Sequence, residues 1–221
     1  MSGATIAASG LSKAYEGPSP VAAVKDVSLE VQAGEVLLIS GPNGSGKTTL
    51  LAMLGGLLPP SSGTVTLDGE TLTSLTPSRL AAFRLHRIGF VFQAFRLLDG
   101  LTAQENVQVV LEMNGARDAA RRAAAMLEEV GLADRAGRLA RNLSGGEKQG
   151  VAIARALAND PAVILADEPT GSLDSHAGEQ AVRLLCDAAR SRGKAVVIVS
   201  HDARIEKHVD RVMRMADGRL V

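Results

Sequence analysis

The sequence predicts an α/β fold: a mostly parallel sheet, an antiparallel β part towards the N-terminus and a helical part inserted later. Three observations carry this. Val36–Ile39, Ala162–Ala166 and Ala195–Val199 are short, unbroken apolar runs, as strands buried on both faces of a parallel sheet are. Val24–Val31 alternates with period two, as a half-buried antiparallel strand does. Residues 94–142 are mostly helical in pattern and interrupt the β/α alternation. A length of 221 residues with 46% hydrophobic content suits one domain with a substantial core. The expected layout is a core of residues 4–93 and 160–221, including the antiparallel part, and a helical subdomain over 94–159.

Taken in order, Ile6–Gly10 reads as a β piece and Lys13–Pro20 as an irregular loop holding Tyr15, the only tyrosine. The run Val36–Ile39 is followed by Gly41-Pro42-Asn43-Gly44-Ser45-Gly46-Lys47-Thr48-Thr49 and then by the helix-prone Leu50–Leu54. Strand, glycine-rich loop and helix in that order, with Gly41, Gly46, Lys47 and Thr48 in the G-x-x-x-x-G-K-[ST] pattern, predict a P-loop NTPase core. Glycines let successive backbone N–H groups turn towards one point. The helix adds its positive N-terminal end. Lys47 brings a cation to the outer phosphates, and the Thr48 hydroxyl suits Mg²⁺.

Breaks at Gly55-Gly56 and Pro59–Gly63 lead to a strand over Thr64–Leu67 with a turn at Asp68-Gly69. Pro77–Arg87 predicts a short basic helix with proline first. Ile88–Gln93 predicts a strand whose C-terminal end carries Gln93, where polar site residues of open α/β sheets collect. Ala103–Met113 and Ala116–Val130 predict helices.

In Leu143-Ser144-Gly145-Gly146-Glu147-Lys148-Gln149, Ser144 is a helix N-cap and Glu147 completes a capping box. The two glycines expose N–H groups there and make a second anion-seeking helix end. The strand from Pro161 ends in Asp167 and Glu168. Successive strand residues point to opposite sides, so Asp167 suits Mg²⁺ and Glu168 suits an attacking water. Thr170–Asp174 is a tight loop leading to a helix over 175–191, and Ala195–Val199 leads to His201. A last turn falls at Asp217-Gly218.

Composition excludes several function classes. Formal charge is +0 and aromatics make up 2%, which leaves neither a nucleic-acid footprint nor stacking platforms. No apolar run approaches the ~20 residues that cross a bilayer, so direct membrane insertion is not expected. The lone Cys186 permits no internal disulfide. In a parallel sheet the ends of the three buried strands share one edge, so Lys47, Asp167–Glu168 and His201 can surround one nucleotide. The Ser144 helix end is a second phosphate-seeking feature, which a second copy related by a twofold axis could offer to the other side of a triphosphate.

The set Gly41–Thr49, Gln93, Leu143–Glu147, Ile164–Glu168, Ser172–Asp174 and His201 resembles the ATP-binding subunit of ABC transporters, over essentially the whole chain. Ile88–Val107 looks most like the lipoprotein-release and macrolide-export branch. The resemblance implies ATP and Mg²⁺ as cofactors. It implies that Tyr15 stacks on adenine, that Lys47, Thr48 and Gln93 contact phosphates or Mg²⁺, and that Glu168 polarises the attacking water. His201 would contact the γ-phosphate, Ser144, Gly145, Gly146 and Glu147 would serve the partner's ATP, and Asp174 would pass contacts across the dimer. Implied partners are a second copy and an integral membrane permease, received in a groove bordered by Gln93, Phe95, Leu97 and Leu98. The implied location is the cytoplasmic face of the inner membrane, through that permease.

Transport by export or extraction is the expected function. A regulator of the same fold, of the cell-division type, is the alternative. A DNA-repair ATPase is disfavoured, because no heptad run or zinc-type cysteine set separates Lys47 from Ser144. One position departs from the family pattern: Gly150 stands where an arginine is usual.

Overall fold

The computed structural model describes residues 6–17 and 21–221. The N-terminal hairpin joins β1 (Ile6–Tyr15) and β2 (Val21–Val31) antiparallel. The other edge of β1 pairs with β4 (Ser62–Leu67), which turns back into β5 (Glu70–Thr71). Lys13–Tyr15, expected in a loop, belong to β1, with Lys13 opposite Val24 and Tyr15 opposite Val21. The ladder survives because register shifts after Ala8 and after Leu11 absorb the broken alternation, and Gly10 (φ 60°) and Asp26 (φ 53°) supply the left-handed backbone such bulges need. Of the remainder of that expected loop, Glu16 and Gly17 lie outside any strand, and residues 18–20 lie outside the described residues.

The second sheet has the order β10-β9-β3-β8-β7-β6. Its members are β3 (Val36–Ser40), β6 (Ile88–Val91), β7 (Val163–Asp167), β8 (Ala195–Ser200), β9 (Arg211–Ala216) and β10 (Arg219–Leu220). All pair parallel except β10, which closes a hairpin on β9. Alternate residues of β3 explain why its run is apolar throughout. Leu37 and Ile39 pack with α1 (Lys47–Leu54) and the antiparallel sheet. Val36 and Leu38 pack on the other face with α5 (Gly145–Leu157) and α6 (Ser175–Arg192).

α2 (Pro77–Arg87) begins on its proline, as expected. β6 stops two residues before Gln93, although Phe92 still stacks on Phe90 at 5.6 Å. α3 (Ala103–Met113) matches its expected span, and α4 (Ala119–Glu129) starts three residues later than expected. These two helices share a separate cluster, with Val107, Leu111 and Leu127 against Val151 and Ala154 of α5. α5 also sends Ile153 and Leu157 to the sheet, so one helix belongs to two cores.

Leu165 of β7 is fully buried. Leu165→Ala is expected to cost about 2–5 kcal/mol, read as a lowered midpoint in urea unfolding.

Candidate active site

The strand register assembles the site. Ser40 of β3 pairs with Ser200 of β8, and Asp167 of β7 pairs with Val199 of β8. The loops leaving all three strands therefore start on one edge.

The glycine-rich loop is shaped by what lies behind it. A Cβ on Gly41 would sit 2.2 Å from the Met215 carbonyl oxygen, and one on Gly46 (φ 104°) 2.2 Å from that of Ala23. Both positions need glycine because backbone occupies the space. Lys47 is only 6% exposed. Its Nζ donates to the carbonyls of Gly41 (2.8 Å) and Pro42 (3.0 Å) and lies 3.9 Å from Glu168 Oε1. A buried ammonium requires such partners.

The two acids have different partners: alternation along β7 ends at Asp167, and Glu168 lies beyond the strand. Asp167 Oδ1 accepts from the Thr48 hydroxyl at 2.9 Å. Burial pushes the Asp167 carboxyl above its usual range, against the pull of that hydrogen bond. Glu168, in left-handed backbone (φ 44°) and buried, turns to β8. Its Oε2 accepts from Ser200 Oγ (2.8 Å), and its Oε1 lies 3.0 Å from His201 Nδ1.

Asn43, Gly44, Gly46, Lys47, Thr48, Thr49, Gln93, Glu168 and His201 line one cleft of about 610 Å³. Ser45 is buried in the same loop and Pro42 is exposed on it. Asp167 touches the cleft through Thr48. Tyr15 is exposed and does not line the cleft, but it stands opposite Val21, which does. Gln93 is exposed, and the segment after it is held by Arg155, which donates to the carbonyls of Phe95 (2.9 Å) and Arg96 (2.7 Å).

Ser144, Gly145, Gly146, Glu147 and Asp174 line a different cleft, of about 710 Å³, between α5 and α6. The capping box is present: Ser144 Oγ accepts from the Glu147 N–H at 3.3 Å, and Glu147 Oε2 accepts from the Ser144 N–H at 2.8 Å. That N–H, followed by Arg135, holds Glu147 below the usual carboxylate range. Asp174 caps α6, accepting from the N–H groups of His176 and Ala177 at 2.9 Å each. The two clefts share no lining residue.

Sequence reasoning missed several supports. Ser200 is fully buried and holds the Glu168 carboxylate; its only signal was its place at the end of a buried strand. Lys25, Asp217 and Gly218 also line the first cleft. The Gly218 N–H donates to the Ser45 carbonyl (3.0 Å), and its own carbonyl accepts from the Lys25 N–H (2.8 Å). Asp217-Gly218 was legible only as a turn.

A phosphate-cradling loop at a parallel-sheet edge, a hydroxyl–carboxylate pair and a second, buried carboxylate define a P-loop ATPase. A family model described as "ABC transporter" matches residues 24–171. The lipoprotein-releasing system ATP-binding protein LolD of Bacteroides fragilis is 46% identical, over 90% of this chain and 93% of its own. The macrolide export ATP-binding/permease protein MacB of Agrobacterium fabrum is 40% identical over 96% of this chain, which spans 33% of that longer protein. The dimeric post-hydrolysis structure of the ATP-binding cassette MJ0796, bound to ADP and Pi, superposes with a TM-score of 0.90 at 38% identity, covering 97% of this chain and 96% of that one. The chain belongs to the ABC transporter ATP-binding family, and it binds and hydrolyses ATP. No helix among the described residues is long and apolar enough to cross a membrane.

Ser200→Ala removes a buried donor to Glu168. Losing such a bond costs about 1–3 kcal/mol, read as a lowered midpoint in urea unfolding.

Proposed function

We propose that two copies close head to tail around two Mg-ATP and that closure drives an integral membrane permease which exports or extracts a substrate. The observation that carries this is the separation of the clefts. The glycine-rich loop and the Ser144 helix tip both suit phosphate, yet they open into different clefts of one chain, so a second copy is the natural source of the missing half. The dimeric state of the MJ0796 cassette in its structures supports this. The names of LolD and MacB support a membrane partner and the lipoprotein-release or macrolide-export branch. On this reading the chain works at the cytoplasmic face of the inner membrane, held there by its permease.

The roles follow from the chemistry of each group. Gly41–Thr49 cradle the phosphates, and Lys47 neutralises charge on the outer ones. The donor set fits Mg²⁺: Thr48 and Asp167 offer a hydroxyl and a carboxylate 2.9 Å apart, with Gln93 beside the same cleft, and hard oxygen ligands are what this ion takes. When bound, Mg²⁺ would neutralise the β- and γ-phosphate oxygens. Glu168, steadied by Ser200, takes the proton of the attacking water. His201 contacts the γ-phosphate and shares the Glu168 carboxylate. Tyr15, at the rim beside Val21, stacks on the base. Ser144, Gly145, Gly146 and Glu147 meet the partner's triphosphate, and Asp174 links the two halves. Residues 94–159 act as the helical subdomain, moving α5 relative to the core of 4–93 and 160–221.

Glu168→Gln is expected to bind ATP normally and to accumulate as an ATP-dependent dimer, because the water is no longer activated. Sedimentation that shows only monomer with ATP would remove the sandwich. Lys47→Ala is expected to lower ATP affinity at least a hundredfold, checked by calorimetry.

A further inference from the structure

The charged groups lining the cleft that holds the Ser144 helix tip include Glu129, Glu147, Asp174, Asp187 and Arg183, of which Asp187 is exposed on α6 and screened by solvent. On the sandwich reading, an anionic triphosphate must approach this surface, so each carboxylate there repels it unless it is balanced. Asp174 is engaged by the N-terminus of α6. Glu129 is paired with Arg192. Glu147 lies within the motif itself, and its balance comes from outside the motif. Its Oε2 is fixed on the Ser144 N–H, and its Oε1 lies 2.5 Å from Arg135 Nε.

Arg135 ends a 3₁₀ turn, Ala133–Arg135, that follows α4. The Arg135 N–H donates to the Leu132 carbonyl at 2.9 Å, and the Leu132 N–H donates to that of Leu127 at 2.7 Å. The Leu132 side chain seats against Gly150 of α5, where a Cβ would lie 2.7 Å from Leu132 Cδ1. Gly150 is buried, so any side chain there would displace Leu132. Gly150 thus leaves room for the Leu132 side chain against α5, beside the turn that carries Arg135.

We propose that Arg135 is a positioning residue of the signature helix. Its guanidinium orients and neutralises Glu147, so that the N-terminal end of α5 stays electropositive towards the triphosphate bound by a second copy. The inference rests on the sandwich reading, and its test separates the two. The pair is partly exposed, at 37% and 20% for the two side chains, so by itself it adds little to fold stability. Its effect is on the approach of a polyanion.

In the Glu168→Gln background, sedimentation with ATP measures the dimer dissociation constant. Arg135→Ala is expected to raise it about tenfold, equivalent to about 1.4 kcal/mol, while ATP binding to the isolated chain and the melting temperature stay unchanged. Adding Glu147→Gln, which removes the charge that Arg135 balances, is expected to restore dimerisation to the level of the Glu147→Gln, Glu168→Gln protein. If Glu168→Gln alone stays monomeric with ATP, the sandwich reading fails. If that protein dimerises and Arg135→Ala leaves the constant unchanged, the role of Arg135 is overturned. If Arg135→Ala weakens the dimer and Glu147→Gln gives no relief, the residue acts only through packing, and the proposal is again overturned.

Discussion

The in-register parallel pairing of β3, β8 and β7 is the constraint on which the catalytic edge depends. Ser40 sits beside Ser200, and Asp167 beside Val199, so the loops that follow emerge at one level. A slip of one residue would turn every side chain to the opposite face. Such a slip would drive Leu37 and Ile39 out of one core and Val36 and Leu38 out of the other. The two-sided burial of the strands is thus what holds Lys47, Glu168 and His201 within reach of one another.

Support for the phosphate loop comes from distant parts of the chain. β9 presents the Met215 carbonyl to Gly41, β2 presents the Ala23 carbonyl to Gly46, and the final turn bonds Ser45 through Gly218. Two segments far apart in sequence, β2 and the C-terminal hairpin, close the back of the loop and leave its front to the cleft. On the opposite side, Ser200 and His201 hold Glu168 in a backbone conformation that a glutamate rarely adopts. Left-handed backbone at a non-glycine residue costs free energy that packing elsewhere must offset, and here it aims the carboxylate away from Asp167.

α5 connects this edge to the rest of the molecule. Its Ile153 and Leu157 belong to the sheet's core and its Val151 and Ala154 to the helical cluster. Its Arg155 holds the carbonyls just after Gln93. Movement of the helical part would therefore be felt both at the Ser144 tip and at Gln93. Burial lowers the pKa of the Arg155 guanidinium, although an arginine keeps its charge in proteins.

By itself, the sequence determined the fold class, the three strand ends, the phosphate loop and the capping box at Ser144. These are local matters, set by hydrophobic period, glycine placement and the alternation of side chains along a strand. Tertiary structure alone decided that Lys13–Tyr15 extend β1, since a bulged ladder is stabilised by its partner strand and not by its own alternation. It alone decided that Ser200 holds Glu168, that Gly218 bonds the phosphate loop, and that Arg135 reaches Glu147. Each of those joins residues through space that no period or spacing relates, because a contact between distant segments leaves its mark on neither segment alone.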